Sequence, residues 1–198
     1  MATGWVADGG SWYYLTASGA MATGWVQVDG TWYLLSASGA MLIGWQKIDG
    51  SYYYLRTAAD TPTSGPAGSM CVGWLYVNSR WYYMKSNGAM YTGWLDYDGY
   101  RYYLADAQCG VTSGDDLGSM LKGFHTVGTY EYYFRDLSDR VTISPTHFPE
   151  GAMVHDATYA IAFGGGVVAE HGFMDSAGHV TRDFNLGDEP EEEENVRP

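Results

Sequence analysis

All eight tryptophans of this 198-residue chain obey one spacing rule. Trp5 is followed seven residues later by Trp12, Trp25 by Trp32 and Trp74 by Trp81; Trp45 is followed by Tyr52 and Trp94 by Arg101. Indole and phenol faces carry a negative quadrupole that attracts a cation. A quaternary ammonium has no N–H to donate, so ring faces rather than hydrogen bonds must hold it. Each contact contributes roughly 0.5–2 kcal/mol, so a few ring faces together reach millimolar binding. The same faces also offer a stacking platform to sugar rings.

Charge agrees with a cationic ligand. Asp and Glu total 23 against 10 Lys and Arg, a net charge of −13, which argues against nucleic acid, whose binding depends on neutralising phosphates. No Ser-His-Asp or Cys-His arrangement is visible, and the Gly164–Gly166 run lacks the lysine of a phosphate loop. The expectation is no catalysis and no cofactor. His125, His147, His155, His171 and His179 lack zinc-ligand spacing, so no metal is expected; Asp115 and Asp116 read as a solvated loop rather than a calcium site.

The elements that carry the rings repeat. Gly-Trp falls at residues 4, 24, 44, 73 and 93, with Gly123-Phe124 as an altered sixth copy, at steps of 20, 20, 29, 20 and 30. The spacing of seven holds while the step varies, so the unit is structural and the variable part lies outside it. Trp, Tyr and Val favour a pleated surface. Asp29-Gly30, Asp49-Gly50, Asn78-Ser79 and Asp98-Gly99 supply tight turns. The unit is therefore a β-hairpin, too small to bury its own apolar face, and the fold class expected is an all-β solenoid of stacked hairpins with an irregular C-terminal cap. Gly19, Gly39 and Gly88 are expected to reverse the chain between hairpins.

The domain reading is hairpin repeats over 1–137, with longer connections at 57–69 and 105–119, degenerate terminal repeats over 138–186, and an acidic, disordered tail over 187–198. Within 138–186, GAMVHD (151–156) and DSAGHV (175–180) echo the Gly-Ala-Met junction. No apolar run reaches the length of a membrane helix. Residues 1–5 repeat residues 21–25, so the chain is read as part of a longer array or as a mature segment whose signal lay upstream. Cys71 and Cys109 lie at or beside the long connections, and sequence leaves their pairing open.

The pattern GWV-x-x-DG-x-WY-x-L-x-x-SGAM-x-x-GW resembles the cell-wall-binding repeats of choline-binding proteins, closely over 1–56 and 70–104 and partially over 120–137. It is similar also to glucan-binding and clostridial-toxin repeats. The resemblance implies a ligand between consecutive hairpins, with two rings from one, a third from the next and a methionine nearby. Carried over, the first box takes Trp5, Trp12 and Trp25 near Met21; the second takes Trp25, Trp32 and Trp45 near Met41; a third takes Trp74, Trp81 and Trp94 near Met90. A tyrosine of the following hairpin's second strand competes for the third wall in each. Tyr52 keeps a ring in the third repeat, but the long 57–69 connection is expected to displace the next hairpin. Arg101 puts a cation where a ring is needed, and Phe124 and Glu131 weaken the sixth copy, which leaves two or three working boxes. The second and third positions of each Trp-Tyr-Tyr run are read as packing. The functions implied are a secreted or cell-surface module binding choline on teichoic acid, a carbohydrate-binding module of an adhesin or toxin-like protein, or a structural stalk.

Overall fold

An Asp-Gly step between two aromatic runs needs a two-residue turn with left-handed backbone at both central positions, which Gly takes freely and Asp tolerates. The computed structural model, which describes residues 2–60, 66–163 and 167–183, has that geometry. Asp29 and Gly30 lie at φ 49° and 80°, and Asn78 and Ser79 at 52° and 62°.

Around these turns stand antiparallel hairpins with five residues on each side. Met1–Thr92 forms one compact unit. It contains β1 (Gly4–Asp8) with β2 (Ser11–Leu15), β3 (Gly24–Val28) with β4 (Thr31–Leu35), β5 (Gly44–Ile48) with β6 (Ser51–Leu55), and β7 (Gly73–Val77) with β8 (Arg80–Met84). Gly93–Pro198 forms the second unit. It contains β9 (Gly93–Tyr97) with β10 (Tyr100–Leu104) and β11 (Gly123–Val127) with β12 (Tyr130–Phe134). Its last part is a four-stranded antiparallel sheet in the order β13 (Val141–Ser144), β14 (Ala157–Phe163), β15 (Val167–Met174), β16 (Val180–Asp183). The architecture is all-β and built of stacked hairpins, as the repeat spacing predicts. Among the described residues no helix is long and apolar enough to cross a membrane.

Successive hairpins within a unit are joined by backbone and by methionine. The amide of Met41 donates to the carbonyl of Trp12 at 2.7 Å, Met70 to Trp32 and Met90 to Tyr52 at 2.8 Å. In the second unit Met153 donates to Arg101 at 2.6 Å. Each of these methionines also bridges the end of its own hairpin, as Met41 does opposite Leu35. Their side chains run on to the next junction. Met21 lies on Gly39, Met41 on Gly68 and Met70 on Gly88, so closely that a Cβ there would overlap the sulfur. The core therefore sits at the seams between hairpins: Tyr54, Cys71, Leu75, Tyr82 and Met84 fill one in the first unit.

The long connections leave the stacking of the next hairpin intact. Three hairpins lead into an extended connection, and in each a buried tyrosine donates to an aspartate carried by that connection. Tyr54 bonds Asp60 at 3.1 Å, Tyr103 bonds Asp106 at 2.6 Å and Tyr133 bonds Asp139 at 2.9 Å. Stacking resumes after the 57–69 connection with the same backbone bond, Met90 to Tyr52, as after a short step. The expected displacement after residues 57–69 is thus corrected. Cys71 and Cys109 are both free thiols. The Gly164–Gly166 run, the centre of the 57–69 loop at 61–65 and the acidic tail lie outside the described residues.

Candidate functional site: the aromatic seams

Strand alternation decides which rings meet. Residues opposite each other in an antiparallel pair share a face, and neighbours along a strand point to opposite faces. Trp5 lies opposite Tyr14 and Ala7 opposite Trp12, so these four share one face of the first hairpin. In the second hairpin Trp25, Gln27, Trp32 and Leu34 share one face, and Val26 and Tyr33 share the other. The face bearing Trp5 and Trp12 meets the face bearing Tyr33. Ring centroids of Trp5 and Tyr33 are 4.8 Å apart, inclined at 69°. The same contact recurs between Trp25 and Tyr53 at 5.1 Å and between Trp45 and Tyr82 at 4.9 Å.

The ring that the next hairpin brings to each of these tryptophans is therefore a tyrosine. Trp25 faces the next seam along, as does Trp45, because a one-residue offset in a strand reverses the side. Each seam has a half-buried tryptophan (Trp5, Trp25, Trp45), an outer ring seven residues later (Trp12, Trp32, Tyr52) and a tyrosine of the next hairpin (Tyr33, Tyr53, Tyr82). The outer tryptophans are open to solvent, Trp12 at 49% and Trp32 at 41%. Trp74 and Trp81 share a face of the fourth hairpin, with centroids 6.2 Å apart and planes at 89°, making an indole corner. Trp94 belongs to the second unit and packs there against Tyr132 at 5.0 Å. The methionine tied to the first seam by its backbone is Met41, and the one tied to the second is Met70. Met21, which bridges Leu15 of the first hairpin, reaches Gly39 in the junction of the second. Tyr33, Tyr53 and Tyr82, at positions read from sequence as packing, are the rings that meet Trp5, Trp25 and Trp45 across the seams; period-two alternation was the signal for them.

The electrostatics suit a cation. Burial, with the Asp29 charge nearby, pushes the Tyr33 hydroxyl above its ordinary range, so this wall stays a neutral ring. In the third seam Lys47, opposite Tyr52, holds its Nζ 4.9 Å from that ring's centroid. A different kind of surface lies beside the fourth hairpin. A groove of about 630 Å³ there is lined by Trp74, Tyr76 and Trp81 with Arg56, Asp60 and Asn78.

These seams have known counterparts. Residues 2–44 and 22–58 match the choline-binding repeat, and residues 72–90 match the putative cell wall binding repeat. The chain belongs to the choline-binding repeat family. No curated protein matches it by sequence. Among solved structures, choline binding protein F from Streptococcus pneumoniae is 31% identical, over 91% of this chain and 48% of its own, with a TM-score of 0.64. The same protein crystallised with a peptidoglycan analogue, a tetrasaccharide-pentapeptide, aligns at 31% identity over 91% and 47%, with a TM-score of 0.65. The modular autolysin LytC from Streptococcus pneumoniae shares the fold at 24% identity, over 94% and 35%, with a TM-score of 0.57. This choline-binding repeat chain spans about half the length of choline binding protein F. Family repeats of this kind are β-hairpin solenoids, and they are binding elements associated with the cell surface.

Proposed function

We propose that this chain is a non-catalytic anchoring module that holds a bacterial surface protein or lysin on choline-bearing teichoic acid. Each ammonium group sits between two rings of one hairpin and the tyrosine of the next. The observation that carries the reading is the pairing of a half-buried Trp5 and an exposed Trp12 on one face, opposite Tyr33. That leaves aromatic surface open where pure packing would have closed it. Each ring contributes about 0.5–2 kcal/mol to a cation. Likeness to choline binding protein F supports the same ligand class.

The test is a choline titration read by tryptophan fluorescence, with retention on a tertiary-amine resin. Saturable change in the millimolar range is expected, and no response up to about 100 mM removes the reading. Trp12→Ala and Trp32→Ala should weaken binding by roughly 2- to 30-fold with little loss of stability. A structural stalk predicts the reverse, lost stability and no affinity to lose.

A second reading has its own support. The groove at the fourth hairpin sets the tilted pair Tyr76 and Trp81, centroids 5.0 Å apart, beside Asp60, Arg56 and Asn78. Ring faces with polar edges suit a sugar. Binding on a glycan array without any choline response would select the carbohydrate module.

A further inference from the structure

Position 101 occupies the place that Trp12, Trp32, Tyr52 and Trp81 hold in earlier hairpins, and position 131 occupies it in the sixth. Neither is a ring, yet neither seam is left without a cation on its aromatic face. The Arg101 guanidinium lies over Trp94, 5.6 Å from the ring centroid. Asp96, directly across the strands, holds it there: Nε donates to Oδ1 at 2.7 Å and Nη2 to Oδ2 at 3.3 Å. Trp94 meanwhile packs edge-on against Tyr132 of the next hairpin, as Trp5 packs against Tyr33.

The sixth seam reaches the same state by another route. Glu131 accepts from Arg182 of β16, Nε to Oε2 at 2.9 Å and Nη2 to Oε1 at 2.5 Å. The third guanidinium nitrogen of Arg182 donates to Glu170 of β15. This guanidinium lies over Phe124, 5.0 Å from its centroid. Phe124 meets Tyr159 at 5.3 Å. Tyr159 comes from the first strand of its pair, opposite Gly172, where any Cβ would run into the tyrosine ring. Moving the ring across the pair keeps a tyrosine wall in this seam.

We propose that these two seams are self-liganded: Arg101 and Arg182 sit where an external ammonium sits in the first seams. A charged residue at the outer-wall position then marks a seam that takes its cation from the chain. The inference rests on the reading that the ring seams hold ammonium groups. An ammonium approaching Trp94 or Phe124 meets a fixed guanidinium of like charge on the face it needs. Asp96, Glu131 and Glu170 hold those guanidinium groups in place, so both seams are filled before any ligand arrives.

The test uses the full chain. Arg182→Ala leaves Glu131 and Glu170 facing the Phe124 and Tyr159 rings with no cation between them. It is expected to melt below the unmodified chain and to recover in millimolar methylguanidinium. The recovery should exceed the shift of the unmodified chain and of a sodium chloride control at equal ionic strength. Absence of that excess overturns the inference. If Arg182→Ala does not fold, Arg101→Ala, altered at an exposed pair, carries the same measurement. Calorimetric choline stoichiometry gives the second arm. Arg101→Trp is expected to add one site relative to the unmodified chain, and an unchanged count overturns the inference. Methylguanidinium recovery in a chain that binds no choline at all would sink the anchoring function while supporting the self-filled seams.

Discussion

Gly39 shows how one residue joins two repeats. Its φ is +83°, and the Met21 side chain lies where its Cβ would point. Gly30 has nearly the same backbone, φ +80°, with nothing near the Cβ direction. Gly30→Ala should therefore cost only the left-handed penalty, about 1–2 kcal/mol. Gly39→Ala should cost that and the displacement of Met21, so its urea midpoint should fall further; equal midpoints would show that Met21 moves away freely. The glycines and methionines were visible in the Gly-Ala-Met junction. Their contact was not, because it joins one junction to the next, about twenty residues on in the chain, and spacing alone does not say which way a long, flexible side chain turns.

At the scale of the element, the long connections are anchored by single hydroxyl-to-carboxylate bonds. Burial first, then the bond to Asp139, pushes Tyr133 up to about 12. Burial and the bond to Asp106 push Tyr103 further in the same direction. The unfolded chain releases these protons near pH 10. Above that pH the unfolded state binds fewer protons than the folded one, so stability falls with rising pH. The contribution of Tyr133 is complete below about pH 10 and is lost as pH climbs towards 12. Urea midpoints should be flat from neutrality to about pH 10 and then decline. Tyr133→Phe should make the decline shallower, at a cost near neutrality of about 1 kcal/mol from the lost hydrogen bond. An unaltered slope would remove Tyr133 from the account. These anchors were hidden in the sequence because the aspartate lies six, three and six residues after its tyrosine. That variation has no period to detect.

On the scale of the whole molecule, several weak seams on one chain act together against a polymer. On the anchoring function proposed above, each alone is expected to bind in the millimolar range, and a ligand with many choline groups then gains roughly 10²–10⁴ through effective concentration. Retention on choline-bearing cell walls should therefore exceed single-site affinity by that order and collapse once free choline reaches the millimolar single-site range; retention no stronger than single-site binding would mean that one seam acts alone. The hairpins, their turns, their stacking and the aromatic character of the seams arise from local chemistry: turn residues, strand propensity and a spacing of seven are all written within about twenty residues. Which ring closes each box is not local. Tyr33 rather than Trp25 faces Trp5 because strand alternation and the stacked face act together, and the second of these exists only once two hairpins have met. The cations of the last seams are further still from sequence view. Arg182 reaches Glu131 across 51 residues, a pairing made only when β16 folds back beside β12.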